Sequence, residues 1–124
     1  MTQRTGNSDP RVIAGIRRAT DLGSRGDLDA AVRHLLALTE EFPAAASLHG
    51  YVALFLSRAG RLGEAIEHGR RATQLSPRSE KASLVLFKAL WTDGRRMEAL
   101  DEMKRYLALR PSTEYTRMIR EWGP

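Results

Sequence analysis

The chain has 124 residues, of which 42% are hydrophobic, and this is enough material for the core of a single domain. It contains no cysteine, which excludes a disulfide framework, a thiolate metal site and a cysteine nucleophile and agrees with a reducing compartment. The formal net charge is +5, but basic and acidic residues alternate without a run of five like charges, so charge only weakly favours a nucleic-acid-binding surface.

The start of the chain shows no pattern of a targeting segment or a membrane anchor. Residues 1–9 are polar and lack the apolar stretch of a signal peptide, and we expect them to form a disordered tail. The longest uncharged run, residues 42–57, is too short and too polar to span a membrane. We therefore expect a soluble protein with a cytoplasmic location.

Small residues recur along the rest of the chain with a period of 34 residues. Each of three glycines is followed in fixed register by an alanine and then a proline: Gly26, Ala31 and Pro43; Gly60, Ala65 and Pro77; Gly94, Ala99 and Pro111. Such a recurrence indicates one structural unit that is used three times, over about residues 12–45, 46–79 and 80–113.

Each unit is predicted to hold two helices joined by a tight turn. In the second unit, Ser47 is expected to cap a helix whose apolar residues recur every three or four positions up to Ala59. Gly60 then supplies the permissive backbone of the turn, and a second helix over residues 62–75 is stopped by Pro77. The first and third units follow the same pattern.

The residues after Pro111 are predicted to form one further helix, at about residues 113–122. Ser112 is expected to cap this helix, and its apolar residues share one face: Tyr115, Met118, Ile119 and Trp122. A terminal helix with a polar back covers the apolar end of a stacked array of repeats. We therefore expect it to act as a cap helix.

On these residues the chain resembles the tetratricopeptide repeat (TPR) family, whose 34-residue unit places glycine, alanine and proline in this register. The resemblance covers residues 12–122 and implies an all-α, right-handed superhelix of three helix-turn-helix repeats plus a C-terminal capping helix. It implies a single domain over residues 10–124. The sequence departs from the family pattern at two positions. Gly69 stands where the family usually has a bulky residue, and Phe87 stands where it usually has a small one. Since adjacent repeats pack together, we predict that the Phe87 ring lies close to Gly69.

The resemblance further implies an interaction scaffold or adaptor that binds a peptide of a partner protein on a concave wall built from the first helix of each repeat. We expect a partner segment with apolar anchors and carboxylates, because the implied contact residues supply room, apolar surface and positive charge. These residues are Ile16, Thr20, Ser47, Gly50, Leu54, Arg58, Lys81, Leu84, Lys88 and Trp91.

The chain departs from those family members that clamp the C-terminal carboxylate of heat-shock chaperones. Three polar positions of that clamp hold Ile16, Thr20 and Tyr51 in this sequence. Val85 replaces a clamp arginine, although Lys81 matches a clamp lysine. The resemblance therefore implies a peptide groove without the carboxylate clamp.

Other interpretations stay open at the level of the sequence. The first helix is poor in large apolar residues, and an exposed end of the array could mediate self-association into a homo-oligomer. Trp91 could simply cover the cap helix instead of contacting a ligand.

A basic stripe could bind nucleic acid, although acidic residues interleave with it at spacings that favour intrahelical ion pairs. The members of this stripe are Arg70, Arg71, Arg78, Arg95, Arg96, Lys104 and Arg105.

No catalytic constellation, cofactor motif or metal site can be assembled from the sequence, and we do not expect an enzyme. His34 and His68 occupy the same position one repeat apart, and both are predicted to lie on an exposed surface. His49 is predicted to be a partly buried core residue and not a general base.

Overall fold

The computed structural model describes residues 6–122, and this part of the chain is helical and has no strand. Neighbouring helices pack in chain order, α1 on α2, α2 on α3, and so on to α6. The first six helices therefore form three stacked helix-turn-helix pairs, which confirms the predicted all-α array. The helices are α1 (Pro10–Ser24), α2 (Leu28–Glu41), α3 (Ala46–Arg58), α4 (Leu62–Leu75), α5 (Glu80–Thr92), α6 (Arg96–Leu107) and α7 (Thr113–Trp122).

The turns within the three pairs depend on glycine. Gly26, Gly60 and Gly94 have φ angles of 85°, 79° and 81°, in the left-handed region that a Cβ atom disfavours. The residue after each glycine donates its amide back into the helix, as the Arg61 amide does to the Leu56 carbonyl at 2.9 Å. This pattern closes the helix in a Schellman motif. The repeated glycines are thus turn residues, as their spacing predicts.

The helix starts differ in how they are capped. The side chains of Asp9, Asp27 and Ser79 accept a hydrogen bond from an amide at the starts of α1, α2 and α5. Helix α3 has Ala45 at this position and therefore no cap from its own N-cap side chain. The predicted Ser47 cap is wrong, because α3 begins at Ala46 and Ser47 already lies in its first turn.

The space at Gly69 is filled by a different side chain from the one predicted. A Cβ atom at Gly69 would lie 3.3 Å from the Cα atom of Leu86, so α4 and α5 approach closely there. The side chain nearest to this space is thus Leu86, whereas we predicted the ring of Phe87. Successive helix residues point about 100° apart, so a difference of one residue selects another neighbour.

The Phe87 ring belongs instead to an aromatic cluster that holds α7. Its centroid lies 5.7 Å from that of Trp91, 5.4 Å from that of Tyr115 and 6.0 Å from that of Trp122. Ser112 accepts a hydrogen bond from the Tyr115 amide at 3.1 Å, which confirms the predicted cap of α7. Of the predicted apolar face, Tyr115 is fully buried, but Trp122 is 47% exposed. Helix α7 covers the last pair through this cluster.

A buried polar network reinforces the same junction between α5, α6 and α7. The Ser83 hydroxyl donates to a Glu102 carboxylate oxygen at 2.6 Å and accepts from the Tyr115 hydroxyl at 2.7 Å. Arg105 donates two hydrogen bonds to Glu102 and a third to the Pro77 carbonyl. Burial raises the pKa of the Tyr115 hydroxyl, so this group stays a donor at neutral pH.

Replacing Ser83 with alanine should lower the free energy of unfolding by about 1–3 kcal/mol, because the buried Tyr115 hydroxyl and Glu102 carboxylate each lose a partner. Urea denaturation of the variant measures this loss. Combining Ser83→Ala with Tyr115→Phe should cost less than the sum of the two single changes, since the orphaned hydroxyl is then absent. A Ser83→Ala variant as stable as the original chain would contradict the network's contribution.

Only part of the expected disordered tail falls within the described residues. Residues 1–5 lie outside them. Residues 6–9 form a turn, in which the Asp9 amide donates to the Gly6 carbonyl at 3.0 Å. This turn leads directly into α1.

Candidate functional site

The main candidate site is a groove between α3 and α5, the first helices of the second and third pairs. It has a volume of about 340 Å³ and is mostly apolar at its surface. Four of the ten residues implied as ligand contacts line it, namely Ser47, Gly50, Leu54 and Lys81. Its other lining residues are Asn7, Ala46, Tyr51, Ser76, Ser79, Ala82 and Val85.

Small side chains make room at the centre of the groove. Gly50 lies in the middle of α3, and a Cβ atom built there would meet no other atom within 4 Å. Ala46 on α3 and Ala82 on α5 also have small side chains and leave further room between the two helices. Leu54 and Val85 supply apolar contact area. The groove can therefore accept an apolar side chain of a ligand without rearrangement of α3.

A positive charge is held at the side of the groove. The Lys81 ammonium donates to the Tyr51 hydroxyl at 2.7 Å and lies 4.6 Å from the centroid of the Tyr51 ring. These contacts fix the direction of a long side chain that is otherwise exposed. The groove thus joins an apolar floor to one oriented cation.

One end of the groove is already in contact with the start of the chain. The Asn7 side-chain oxygen accepts a hydrogen bond from the Ser47 amide at 3.1 Å and another from the Ser47 hydroxyl at 2.9 Å. Asn7 therefore supplies the cap that α3 lacks at its own N-cap. Sequence reasoning missed this residue because no periodic pattern links positions so far apart.

The other implied contact residues lie outside this groove. Ile16 and Leu84 are half-buried against the core, and the Thr20 hydroxyl donates to the Ile16 carbonyl. Lys88 is exposed, and the exposed Arg58 lies 5.6 Å from the Phe55 ring centroid. These five residues are not brought together at the groove.

Trp91 makes contacts with the cap helix. Its ring stacks on that of Trp122 with centroids 4.7 Å apart, and the Arg96 guanidinium lies 4.9 Å from its centroid. These contacts agree with the alternative interpretation, in which Trp91 covers the cap helix. A ligand at Trp91 would have to share the residue with Trp122.

Two histidines meet on the other side of α3. The His49 ring nitrogen Nε2 lies 2.9 Å from the Pro43 carbonyl, and Nδ1 of His49 lies 3.2 Å from Nδ1 of His68. Because a carbonyl can only accept, Nε2 of His49 carries a proton, and the two Nδ1 atoms share one further proton in the hydrogen bond between the rings. His49 is buried as predicted, but the expectation of an exposed His68 is wrong, since it is half-buried beside α3.

The histidine pair should make the fold sensitive to acid. Burial, followed by repulsion from His49, lowers the pKa of His68 below 6.5, so the folded chain favours the neutral ring. The unfolded chain takes up the proton first, and stability therefore falls as the pH drops through about 6.5 towards the lower folded-state pKa. Thermal unfolding between pH 8 and 5.5 measures this fall.

Two variants separate this effect from general acid sensitivity. His68→Gln should flatten the dependence of the unfolding midpoint on pH over this range, while the matched His34→Gln, at an exposed histidine one repeat earlier, should keep it. Equal slopes for the original chain and His68→Gln would contradict the role of the pair.

Several members of the predicted basic stripe are engaged by other side chains. Arg70 and Arg95 both pair with Glu98, and Arg105 pairs with the buried Glu102. Arg96 lies over the Trp91 ring. The i,i+3 pairs Arg95–Glu98 and Arg105–Glu102 confirm the expected local pairing and reduce the positive charge that the stripe offers to phosphate groups.

Other site types find no support in residues 6–122. No three histidine, aspartate or glutamate side chains there are arranged to hold a metal ion. Within the same residues, no helix is both long and apolar enough to cross a membrane.

The repeated helix pairs and the groove between their first helices define an interaction solenoid, and comparison with known proteins places the chain in a family. The tetratricopeptide repeat model TPR_16 matches residues 16–80, which is more than half of the chain. The chain therefore belongs to the tetratricopeptide repeat family. No curated protein matches the sequence.

Solved structures share this fold at low sequence identity. The first TPR of Spaghetti (RPAP3), bound to the HSP90 peptide SRMEEVD, has a TM-score of 0.79 at 20% identity, over 90% of this chain and 91% of that one. The second TPR of Spaghetti, with the same peptide, has a TM-score of 0.73 at 20% identity, over 82% and 94%. A mutant of MamA has a TM-score of 0.70 at 23% identity, over 85% and 77%. These likenesses establish an all-α TPR superhelix.

Proposed function

We propose that the protein is a non-catalytic interaction module that binds an extended peptide segment of a partner protein in the groove between α3 and α5. The observation that carries this proposal is the open, mostly apolar groove of about 340 Å³ with Gly50 at its centre and Lys81 at its side. Two solved TPR domains of similar fold hold a peptide, which supports this kind of ligand.

The chemistry of the groove selects the kind of peptide. Leu54 and Val85 favour an apolar side chain, whose burial contributes about 25 cal/mol per Å². The Lys81 ammonium favours a carboxylate nearby, from an acidic side chain or a C-terminus. Tyr51 and Val85 stand at positions that a chaperone-type carboxylate clamp fills with polar residues, so we propose a ligand different from the peptide SRMEEVD.

Selection from a random-peptide library displayed on phage tests the proposal. Peptides that bind should be enriched in an apolar residue close to an acidic one. Isotope-edited NMR should place the shifts caused by such a peptide at Gly50, Leu54 and Val85. Failure to enrich any sequence, or shifts confined to other surfaces, would overturn the groove as the binding site.

Lys81→Met should weaken binding of a selected acidic peptide by about twofold to fivefold, because a partly exposed charge pair contributes up to about 1 kcal/mol. Lys104→Met is the matched control, since Lys104 is an exposed lysine on α6 that neither lines the groove nor belongs to the implied contact residues. Fluorescence anisotropy at low ionic strength gives both affinities. Equal losses in the two variants would indicate a general charge effect and not a contact in the groove.

Self-association is a second candidate function, favoured by apolar side chains at both ends of the array. Ile13 on α1 is 45% exposed, and Ile119 on α7 is 49% exposed. Apolar end faces of this kind could stack copies of the chain head to tail. Sedimentation velocity over a range of concentrations distinguishes a monomer from such an assembly.

A further inference from the structure

The end of the groove at Ser47 is occupied by the chain itself. Ser47 has two donors, its amide and its hydroxyl, and both donate to the side-chain oxygen of Asn7. Asn7 also lines the groove. Ser47 is one of the residues at which a bound peptide is expected to make contact, so the donors that a ligand would use are already engaged.

The turn that carries Asn7 is held on both sides. Next to it, Gly6 has a φ angle of 91° and packs so closely that a Cβ atom there would lie 2.8 Å from Cδ1 of Phe42. Asp9 caps α1 by accepting from the Arg11 amide at 2.8 Å. Asn7 therefore reaches Ser47 from a position that is set by packing on α2 and by the start of α1.

We propose that residues 6–9 form an internal strap that competes with the peptide ligand at the Ser47 end of the groove. This inference rests on the function proposed above and adds its regulation. A peptide that extends to Ser47 has to displace the Asn7 side chain before it can accept from the Ser47 amide and hydroxyl. A peptide confined to the region of Gly50 and Leu54 does not meet the strap.

The apparent affinity equals the affinity of the open form multiplied by the fraction of molecules in which the strap is open. The two hydrogen bonds are exposed and share one acceptor atom, so together they correspond to about a twofold to tenfold preference for the closed form. The strap can therefore be displaced by a ligand with modest affinity. The strap therefore weakens binding at the Ser47 end of the groove but does not prevent it.

Two substitutions of the same residue should change the affinity in opposite directions. Asn7→Ala removes the acceptor and should tighten binding of a selected peptide by about twofold to tenfold. Asn7→Asp places a carboxylate at the start of α3, where charge-assisted hydrogen bonds and the helix dipole hold it, and should weaken binding by a similar factor. A variant that merely destabilised α3 would not produce this pair of results.

The exposed neighbour Ser8 provides matched controls. Ser8→Ala and Ser8→Asp make the same changes in size and charge at a residue that does not line the groove, and both should leave the affinity unchanged. Amide hydrogen exchange at Ser47 gives a readout without ligand, since exchange should accelerate in Asn7→Ala and not in Ser8→Ala.

The outcomes separate the strap from the groove itself. Faster exchange at Ser47 together with opposite shifts in affinity for Asn7→Ala and Asn7→Asp supports the strap. Unchanged affinity in both Asn7 variants, for a peptide whose NMR shifts include Ser47, overturns the strap and leaves the peptide-binding function standing. Selected peptides whose shifts avoid the groove in every variant overturn the proposed function, and the strap falls with it.

Discussion

Replacing Gly50 with leucine should weaken peptide binding at least about tenfold, which corresponds to 1.4 kcal/mol, while the fold stays intact. The reason is geometric: a Cβ atom at Gly50 meets nothing within 4 Å, so the new side chain projects into the groove without a clash inside the protein. Leucine also favours a helix by up to about 1 kcal/mol over glycine. Anisotropy with a selected peptide and urea denaturation measure the two effects separately.

Gly63 offers a matched control for this change. It lies on α4, is equally open around its Cβ position and does not line the groove. Gly63→Leu should therefore leave peptide affinity unchanged, and its unfolding curve shows what the substitution alone does to stability. A Gly50→Leu variant that binds as tightly as Gly63→Leu would place the ligand elsewhere on the molecule.

Replacing Phe87 with alanine should lower the free energy of unfolding by about 3–5 kcal/mol, a large part of the stability of a domain of this size. The ring is buried and is shared by three other aromatic rings, so its removal leaves a cavity at the junction of α5 and α7. Urea denaturation followed by circular dichroism measures the loss.

Trp122→Ala is the control for this second prediction. Trp122 belongs to the same cluster but is about half exposed, so its removal should cost less, about 1–2 kcal/mol. A Phe87→Ala variant that loses no more stability than Trp122→Ala would show that the buried ring is not what holds the cap helix.

The helices and turns were predictable because their causes are local. Glycine, such as Gly60, is favoured where the backbone enters the left-handed region, and proline cannot continue a helix beyond its first turn. These requirements depend on a few adjacent residues, and the 34-residue period repeats them three times. The bounds of α4, predicted over residues 62–75, match the structure for this reason.

The contacts that were missed join residues far apart in the chain. The Asn7–Ser47 and His49–His68 hydrogen bonds and the approach of Gly69 to Leu86 depend on how helices rotate and slide against each other. A periodic pattern identifies the buried face of a helix but does not fix which residue of the neighbour it meets. The predicted Phe87–Gly69 contact identified the correct two helices, α4 and α5. The residue of α5 nearest to Gly69 is Leu86, one position before Phe87.

The candidate site was predictable to the same extent. The family positions placed ten residues on one surface, and the groove contains four of them, namely Ser47, Gly50, Leu54 and Lys81. The resemblance could not decide whether Trp91 contacts a ligand or covers the cap helix, because α7 lies outside the repeated 34-residue pattern. Nor could it show that Asn7 reaches the groove.

The close approach at Gly69 has a consequence for the groove. Helix α4 contacts both α3 and α5, which are the two walls of the groove, and at Gly69 no side chain separates α4 from the Leu86 backbone. A Cβ atom there would lie 3.2–3.3 Å from Leu86, so a larger residue requires Leu86 on α5 to move by a few tenths of an ångström. The position of α5, which is one wall of the groove that a ligand would enter, therefore depends on the absence of a side chain at Gly69.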